Sequence, residues 1–215
     1  MSDRRTFLGA LGALGALSAL PPAQAAAAAG QQQARGWDLS WLDRLTGKHK
    51  QVFDIGPINV PVSPLRVVSN YFVGFDQVLG LRAPDVQAVI GIAGSGFPIN
   101  ASDAVWAKYR LGERWEIRDP ATGQFAARNV YRERPAGHPE EGHTVRSLQE
   151  RGAIFWMCNN ALTGLVQRFS AEDGLPATAV RAELVAGLLP GVIIVPAHTM
   201  FLGLVQERGC TYEKL

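Results

Sequence analysis

Cysteine is scarce in this sequence, with two among 215 residues, at positions 158 and 210. Two thiols cannot build a disulfide framework, although one bridge between them is possible in an oxidising compartment. The fold therefore has to depend on a hydrophobic core. Because 47% of the residues are hydrophobic, the composition is that of an ordinary globular protein able to bury one.

A surplus of one charge sign is also missing. Lys and Arg number 21 and Asp and Glu 19, which gives a formal net charge of +2. Removal of the first 25 residues lowers this to about +1, because Asp3, Arg4 and Arg5 leave with them. A chain without a basic surplus is a poor match for the phosphate backbone, so we expect no nucleic-acid partner.

Long apolar runs are lacking as well. The run over residues 9–20 is about 12 residues long, whereas a membrane-spanning helix needs roughly 20. It follows the pair Arg4-Arg5 and precedes small residues ending at Ala25, the layout of a secretory signal that resembles the twin-arginine type. We expect export to the periplasm, cleavage after Ala25 and no stable membrane span. An uncleaved membrane anchor and a mitochondrial presequence are the alternatives.

Three segments are predicted along the chain. Residues 1–25 are the twin-arginine-type signal peptide, and residues 26–47 are a linker and N-terminal extension that starts with the small, polar run AAAAGQQQAR. Residues 48–215 form a single α/β domain. An insertion around 113–143 interrupts this domain, and its turn residues predict a hairpin-like element over 115–131.

Short β-rich runs alternate with helical patterns from residue 48 onward. Apolar runs bounded by glycine or proline predict strands over 51–55, 86–93, 153–157, 191–195 and 210–212. Apolar residues spaced three and four apart predict helices over 64–79, 102–112, 145–152, 160–169, 178–189 and 199–208. This alternation predicts the α/β class: a three-layer α/β/α sandwich with a mainly parallel sheet of about five strands.

Ligands of such sheets collect at the carboxyl ends of the strands. Three segments fall at that edge: Gly94-Ser95-Gly96, Cys158-Asn159-Asn160 and Ala197-His198-Thr199. The glycine-rich segment could bind an anion through backbone N–H groups, but it lacks the spacing of a dinucleotide fingerprint. We therefore take Gly94, Ser95, Gly96, Asn159 and Asn160 as candidate ligand-binding residues.

Cys158 falls where a strand ends and a helix begins. Free N–H groups and the positive end of the helix dipole favour the thiolate there, which is the nucleophilic form. We expect a solvent-facing thiol at the edge of the sheet. The alternative is an inert residue that packs as a small hydrophobe, since cysteine is among the most buried residue types.

His198 is the second candidate catalytic residue. Its imidazole could act as an acid or base, hold an anion or pair with the Cys158 thiolate. Capping of the following helix and a place in a subunit contact are the alternatives. His138 and His143, with Glu140 and Glu141 between them, form only a weak metal-ligand pattern, which we interpret as a solvated loop. No haem, flavin or iron–sulfur signature is present, so we expect neither metal nor cofactor.

Three runs in the last third of the chain carry a family resemblance. They are CNNAL at residues 158–162, LPGVIIVP at 189–196 and LVQERGCTY at 204–212. Together they resemble the DsrE/DsrF-like sulfur-relay family, and the predicted helix over 64–79 and the strand segment over 86–94 match its first half in order and type. His198 stands where the family usually has glycine, and Cys210 where it usually has an aromatic residue.

The resemblance implies a flavodoxin-like fold, assembly into trimers or hexamers, and persulfide sulfur accepted and passed on by Cys158. A sulfur-donor or acceptor protein is then the expected partner. The leading hypothesis is thus an exported sulfur carrier or sulfurtransferase-like protein. The alternative is a non-catalytic module of the same fold that binds a small ligand or serves assembly, with a pocket lined by Trp156, Trp106 and Phe97. A third hypothesis, a cofactor acquired before export, has no supporting motif.

Overall fold

A computed structural model describes residues 36–58 and 62–215. The predicted signal peptide and the spacer over 26–35 lie outside the described residues. Residues Ser40–Leu215 form one compact unit. In the part of the chain that is described, no helix has both the length and the apolar character needed to cross a membrane.

Five strands form one parallel sheet. They are β1 (His49–Ile55), β2 (Val86–Ile92), β3 (Ile154–Cys158), β4 (Ile193–Val195) and β5 (Thr211–Lys214). Their order across the sheet is β4-β3-β2-β1-β5, and every neighbouring pair is parallel. The predicted α/β class with a parallel sheet of about five strands is confirmed.

Eight α-helices lie within the described residues. They are α1 (Pro64–Leu79), α2 (Phe97–Asn100), α3 (Asp103–Lys108), α4 (Leu111–Arg114), α5 (Val145–Glu150), α6 (Asn159–Asp173), α7 (Ala177–Ala186) and α8 (His198–Glu207). Two short 3-10 helices, Ser40–Arg44 and Glu141–His143, accompany them. Successive side chains of a strand point to opposite faces, so the sheet needs helices on both sides.

The larger core covers one face of the sheet. Helices α1 and α6 pack apolar side chains such as Leu65 and Leu162 against strand residues that include Phe53, Ile90 and Phe155. These side chains are fully buried. This face is mainly apolar, as expected where helices cover a parallel sheet.

The opposite face carries a smaller aromatic core. Trp41 stacks on Phe201 of α8 with 5.6 Å between ring centroids, and the Trp156 ring of β3 lies 6.1 Å from each of them. Trp41 is only 2% exposed. Residues 40–47 therefore do not belong to a linker, contrary to the prediction for 26–47, because the 3-10 helix Ser40–Arg44 supplies part of this core.

The ends of α1 follow the signals in its sequence. The Ser63 hydroxyl accepts a hydrogen bond from the Leu65 amide at 3.3 Å, and Pro64 begins the helix. Gly80 ends it in the left-handed conformation, at φ 65°. A residue without a side chain adopts this conformation at little cost, which explains the glycine.

The predicted helix over 102–112 is interrupted. Arg110 adopts a left-handed φ of 48°, which separates α3 from α4. At this break the Tyr109 carbonyl accepts a hydrogen bond from Nε of Arg114 at 2.7 Å. The short helix α2, with Pro98 in its first turn, was not predicted.

The insertion around 113–143 contains no β-strand among its described residues. A short hairpin-like element is nevertheless present: Arg118 and Phe125 form an isolated antiparallel bridge, and backbone hydrogen bonds join Asp119 to Gln124 at 2.8 Å and Ala126 to Ile117 at 2.9 Å. The segment is held by Asn129, whose buried amide donates to the carbonyls of Ala101 and Ile99 at 2.7 and 3.0 Å. The Asn129 side chain thus anchors the residues after this turn to the segment Ile99–Ala101.

Replacement of Trp41 by alanine tests whether the segment before β1 is part of the domain. We expect Trp41→Ala to lower the free energy of unfolding by about 3–5 kcal/mol, since a fully buried tryptophan is removed. Urea denaturation measures the change. The control is Val78→Ala, a side chain 80% exposed, for which we expect a change within about 0.5 kcal/mol. Equal effects of the two substitutions would show that Trp41 does not support the fold.

Candidate functional site

The three candidate segments lie at one edge of the sheet. Cys158 ends β3 and pairs in register with Val195 at the end of β4. His198 begins α8 just after β4. The Gly94–Gly96 segment follows β2, and a Cβ on Gly94 would lie 3.9 Å from that of Ala161 in α6. The sheet topology therefore places the Gly94–Gly96 segment, Cys158 and His198 close together.

Cys158 is the N-cap residue of α6. Its Sγ accepts hydrogen bonds from two backbone amides, that of Ala161 at 3.5 Å and that of His198 at 3.3 Å. The residue is only 4% exposed. The prediction of a solvent-facing thiol is therefore wrong. The sulfur atom is covered because the first residue of α8 lies against it.

The His198 ring does not pair with the Cys158 sulfur. Nδ1 accepts a hydrogen bond from Nε1 of Trp156 at 3.1 Å, and Nε2 lies 2.8 Å from Oδ1 of Asp54. An indole nitrogen can only donate, so Nδ1 carries no proton and Nε2–H donates to the carboxylate. Both ring nitrogens are thus engaged, and only the backbone N–H of His198 contacts the thiol.

Asp54 of β1 is a site residue that the sequence analysis missed. It is 6% exposed. Its Oδ2 accepts hydrogen bonds from the Tyr212 hydroxyl at 2.9 Å and from Nζ of Lys214 at 3.0 Å. Both donors belong to β5, so the carboxylate joins the last strand to α8.

Opposing effects act on the pKa of Asp54. Burial by itself raises the pKa of this carboxyl. The hydrogen bonds from Lys214, His198 and Tyr212 outweigh burial, so the pKa lies below its ordinary value. The carboxylate is therefore charged at neutral pH, as a buried acceptor of several charged or polar donors requires.

The His198 ring reaches Asp54 across a glycine. Asp54, Gly91 and Trp156 are register partners on β1, β2 and β3. A Cβ at Gly91 would lie 2.6 Å from Cζ2 of Trp156 and 3.0 Å from Cε1 of His198. Glycine is therefore required here by close packing and not by an unusual backbone angle.

Four of the five candidate ligand-binding residues make hydrogen bonds within the protein, namely Gly94, Ser95, Gly96 and Asn159. The Gly94 and Gly96 carbonyls accept amide hydrogen bonds from the first turns of α2, and the Ser95 carbonyl accepts one from Nε1 of Trp115 at 2.8 Å. The Asn159 side chain accepts a hydrogen bond from Arg181 of α7 at 2.6 Å. Asn160 and Ser95 are exposed. These contacts order the edge around Cys158.

The three aromatic residues expected to line a pocket do not do so. Phe97, Trp106 and Trp156 each have 0% exposure. Phe97 and Trp106 belong to the larger core, whereas Trp156 packs on the opposite face against Phe201. They form the packed interior beneath the edge of the sheet.

Cys210 lies away from Cys158 in the sheet order. It precedes β5, and both β1 and β2 separate β5 from β3. Both cysteines are free and buried. Burial raises the pKa of the Cys210 thiol to about 11, against a smaller opposing effect of Lys50. Cys210 is therefore a protonated, unreactive thiol at neutral pH.

The histidine and glutamate pattern over 138–143 does not converge. Nδ1 of His138 accepts a hydrogen bond from the Glu140 amide, and the Glu141 carboxylate accepts one from the Gly137 amide. Within residues 36–58 and 62–215 no group of three or more metal-ligating side chains is close enough to hold a metal ion. Burial lowers the pKa of His143, with a further contribution from the nearby charge of Arg66.

The likeness of this chain to known proteins is limited to a distant structural one. No family model and no curated protein matches the sequence. Among solved structures, the protein of unknown function MTH1491 from Methanobacterium thermoautotrophicum is similar at 16% sequence identity and a TM-score of 0.38. The match covers 78% of this chain and 99% of that one. A likeness this distant carries no argument about function, and the DsrE/DsrF-like resemblance stays a prediction.

Gly91 provides a test of the packing at this site. We expect Gly91→Ala to lower the free energy of unfolding by about 1–3 kcal/mol, because the methyl group overlaps the rings of Trp156 and His198. The matched control is Gly164→Ala in α6, where a Cβ meets nothing within 4 Å. There we expect a gain of about 0.5–1 kcal/mol from helix propensity. Urea denaturation measures both, and a neutral Gly91→Ala would contradict the packing described.

The lowered pKa of Asp54 makes the stability of the protein depend on pH. Its folded-state pKa lies below the unfolded value, so its contribution is complete above about pH 4 and is lost as the pH falls through the folded pKa. We expect Asp54→Asn to cost about 3 kcal/mol at neutral pH, and less at lower pH. Chemical denaturation from neutral pH to about pH 3 measures the difference.

The control for Asp54→Asn is Asp43→Asn. Asp43 forms an ion pair with Arg208 at 2.8 Å in which its side chain is 72% exposed. Such surface pairs contribute about 1 kcal/mol or less. A difference between wild type and Asp54→Asn that stays constant down to pH 3 would contradict the expected linkage.

Proposed function

We propose that this chain is an exported sulfur carrier of the DsrE/DsrF-like type that holds sulfane sulfur as a persulfide on Cys158. The observation that supports this most is the pair of backbone N–H groups, of Ala161 and His198, directed at its Sγ. The sulfur also caps α6, a helix of 15 residues. Amide donors and the positive end of a helix dipole both favour a negatively charged sulfur.

The chemistry requires no cofactor. The Cys158 thiolate attacks a sulfur atom of an inorganic polysulfide, forming a new S–S bond while a neighbouring S–S bond of the polysulfide breaks. The electron pair of the broken bond leaves with the shortened polysulfide, and the cysteine persulfide remains as an anion. Transfer to an acceptor thiolate repeats this exchange in the opposite direction.

Burial limits the donors that can reach the sulfur atom. Cys158 is 4% exposed, but the residues beside it, Asn159 and Ala197, are partly exposed. The sulfur therefore lies directly below the surface. A donor has to present a terminal sulfur atom, as polysulfide does, and a bulky group would not fit without movement of α8.

His198 contributes through its backbone in this proposal. Its ring nitrogens are bonded to Trp156 and Asp54, so general acid–base catalysis by the ring has no structural support. Trimer or hexamer formation, a donor or acceptor protein and the periplasmic location remain predictions of the family resemblance and of the N-terminal sequence.

Incubation of the purified protein with polysulfide tests the proposal. We expect one adduct of about 32 Da, the mass of one sulfur atom, on the peptide that contains Cys158. Peptide mass spectrometry after gentle alkylation at neutral pH locates it. Cys210 serves as an internal control, because its pKa of about 11 leaves it protonated under these conditions.

The matched variant is Cys158→Ser. It keeps an N-cap oxygen for the Ala161 amide and removes the reactive sulfur. We expect no adduct on this variant and unchanged folding. An equal adduct on Cys158→Ser, or none on the wild-type protein, would reject the carrier role.

One observation favours the second candidate function, a non-catalytic binding or assembly module. A thiol that is 96% covered and caps a helix fulfils a structural role without reacting. In that case the wild-type protein forms no persulfide, and Cys158→Ser is as stable as the wild type or more so, since serine is a stronger N-cap.

A further inference from the structure

We propose that Asp54 is a positioning residue for the Cys158 sulfur and acts through the ring of His198. This proposal depends on the proposed function only for the reaction of the charged sulfur with polysulfide. The positioning of the sulfur does not depend on it. Its basis is a chain of partly buried hydrogen bonds that runs from β5 through Asp54 and His198 to the sulfur at the end of β3.

In the first step, the Asp54 carboxylate is held in place by its hydrogen bonds. One oxygen of Asp54 accepts hydrogen bonds from Tyr212 and Lys214 of β5, and the other accepts one from His198. A buried charge cannot give up such partners without a large desolvation cost. The Asp54 carboxylate therefore has one orientation, defined by β1 and β5 together.

The second step is the orientation of the imidazole. Asp54 holds Nε2 and Trp156 holds Nδ1, at 2.8 and 3.1 Å. The His198 and Trp156 rings also meet edge to face, with 5.7 Å between centroids. With both nitrogens bonded and one tautomer selected, the ring cannot turn without breaking a buried hydrogen bond.

The third step links the ring to the sulfur. His198 is the first residue of α8, and its N-cap residue, Ala197, provides no side-chain cap. The first amides of a helix have no acceptor within the helix. The Cys158 Sγ, at 3.3 Å, is the acceptor for the amide of His198. A ring held by Asp54 therefore holds this N–H on the sulfur.

The arrangement predicts whether loss of Asp54 makes the Cys158 thiolate harder or easier to form. The negative charge of Asp54 by itself disfavours a second negative charge on the Cys158 sulfur. The hydrogen bond that Asp54 positions favours it. If positioning dominates, loss of Asp54 makes the thiolate harder to form; if the charge alone matters, its loss makes the thiolate easier to form.

Thiolate absorbance measured against pH separates these outcomes and does not depend on reagent access. The Cys158 signal is the ultraviolet difference between each protein and the same protein carrying Cys158→Ser. His198→Ala keeps the backbone N–H and removes the ring that holds it, so we expect the midpoint of this titration to rise by up to about one pH unit, the effect of one hydrogen bond to a charged acceptor. Asp54→Ala should also raise it, by less, because the loss of its charge acts in the opposite direction.

Two further variants identify the mechanism. Asp54→Asn keeps an oxygen that can accept from Nε2 of His198, so we expect its midpoint to stay at or below that of the wild type. The double variant Asp54→Ala/His198→Ala should rise no further than His198→Ala, because both substitutions break the same chain of contacts. If Asp54→Ala does not fold, His198→Ala and Asp54→Asn still test the proposal.

The control is Gln51→Ala, which removes a hydrogen bond of 2.6 Å to Glu213 between the same two strands, outside this chain of contacts. Its midpoint should match the wild type. A lowered midpoint in Asp54→Ala, or an unchanged midpoint in His198→Ala, would overturn the positioning role even if the persulfide forms. Conversely, if the wild-type protein forms no persulfide, the proposed sulfur transfer is contradicted. The titration then still tests the positioning role of Asp54.

Discussion

The buried carboxylate of Asp54 is the contact on which the arrangement around Cys158 depends. It joins β1 to β5 through Tyr212 and Lys214 and to α8 through His198. Because a charge at 6% exposure needs all of these partners, it constrains the strand that closes the sheet and the helix that covers Cys158. The same contact therefore supports the fold and determines the surroundings of the thiol.

The two faces of the sheet differ in the side chains that cover them. The larger face is mainly apolar and packs against α1 and α6. The smaller face combines an aromatic core around Trp41 and Phe201 with a polar network that ends at the sulfur. Gly91 allows both on one surface, since any side chain there would displace the two rings. A few side chains on this face thus contribute both to the stability of the fold and to the surroundings of the Cys158 sulfur.

Local patterns predicted some of these features and not others. The helix over 64–79 was predictable because Ser63, Pro64 and Gly80 are cap signals that act within a few residues. Asp54 could not be recognised, because one aspartate in an apolar strand is equally consistent with an exposed position. Trp41 was assigned to the linker and N-terminal extension outside the domain for a similar reason, since its partner Phe201 is 160 positions away in the sequence. The break at Arg110 depends on a backbone angle that its neighbours do not signal.

The sequence by itself determined the order of the five strands and the longer helices along the chain and placed Cys158 between a strand and a helix, because these properties follow from hydrophobic spacing and from capping residues that lie close together in the chain. Only the tertiary structure decided that β5 pairs with β1, that α8 covers the thiol and that His198 meets Asp54, 144 positions away. Such contacts depend on how the strands are ordered in the sheet, and no local pattern specifies that order.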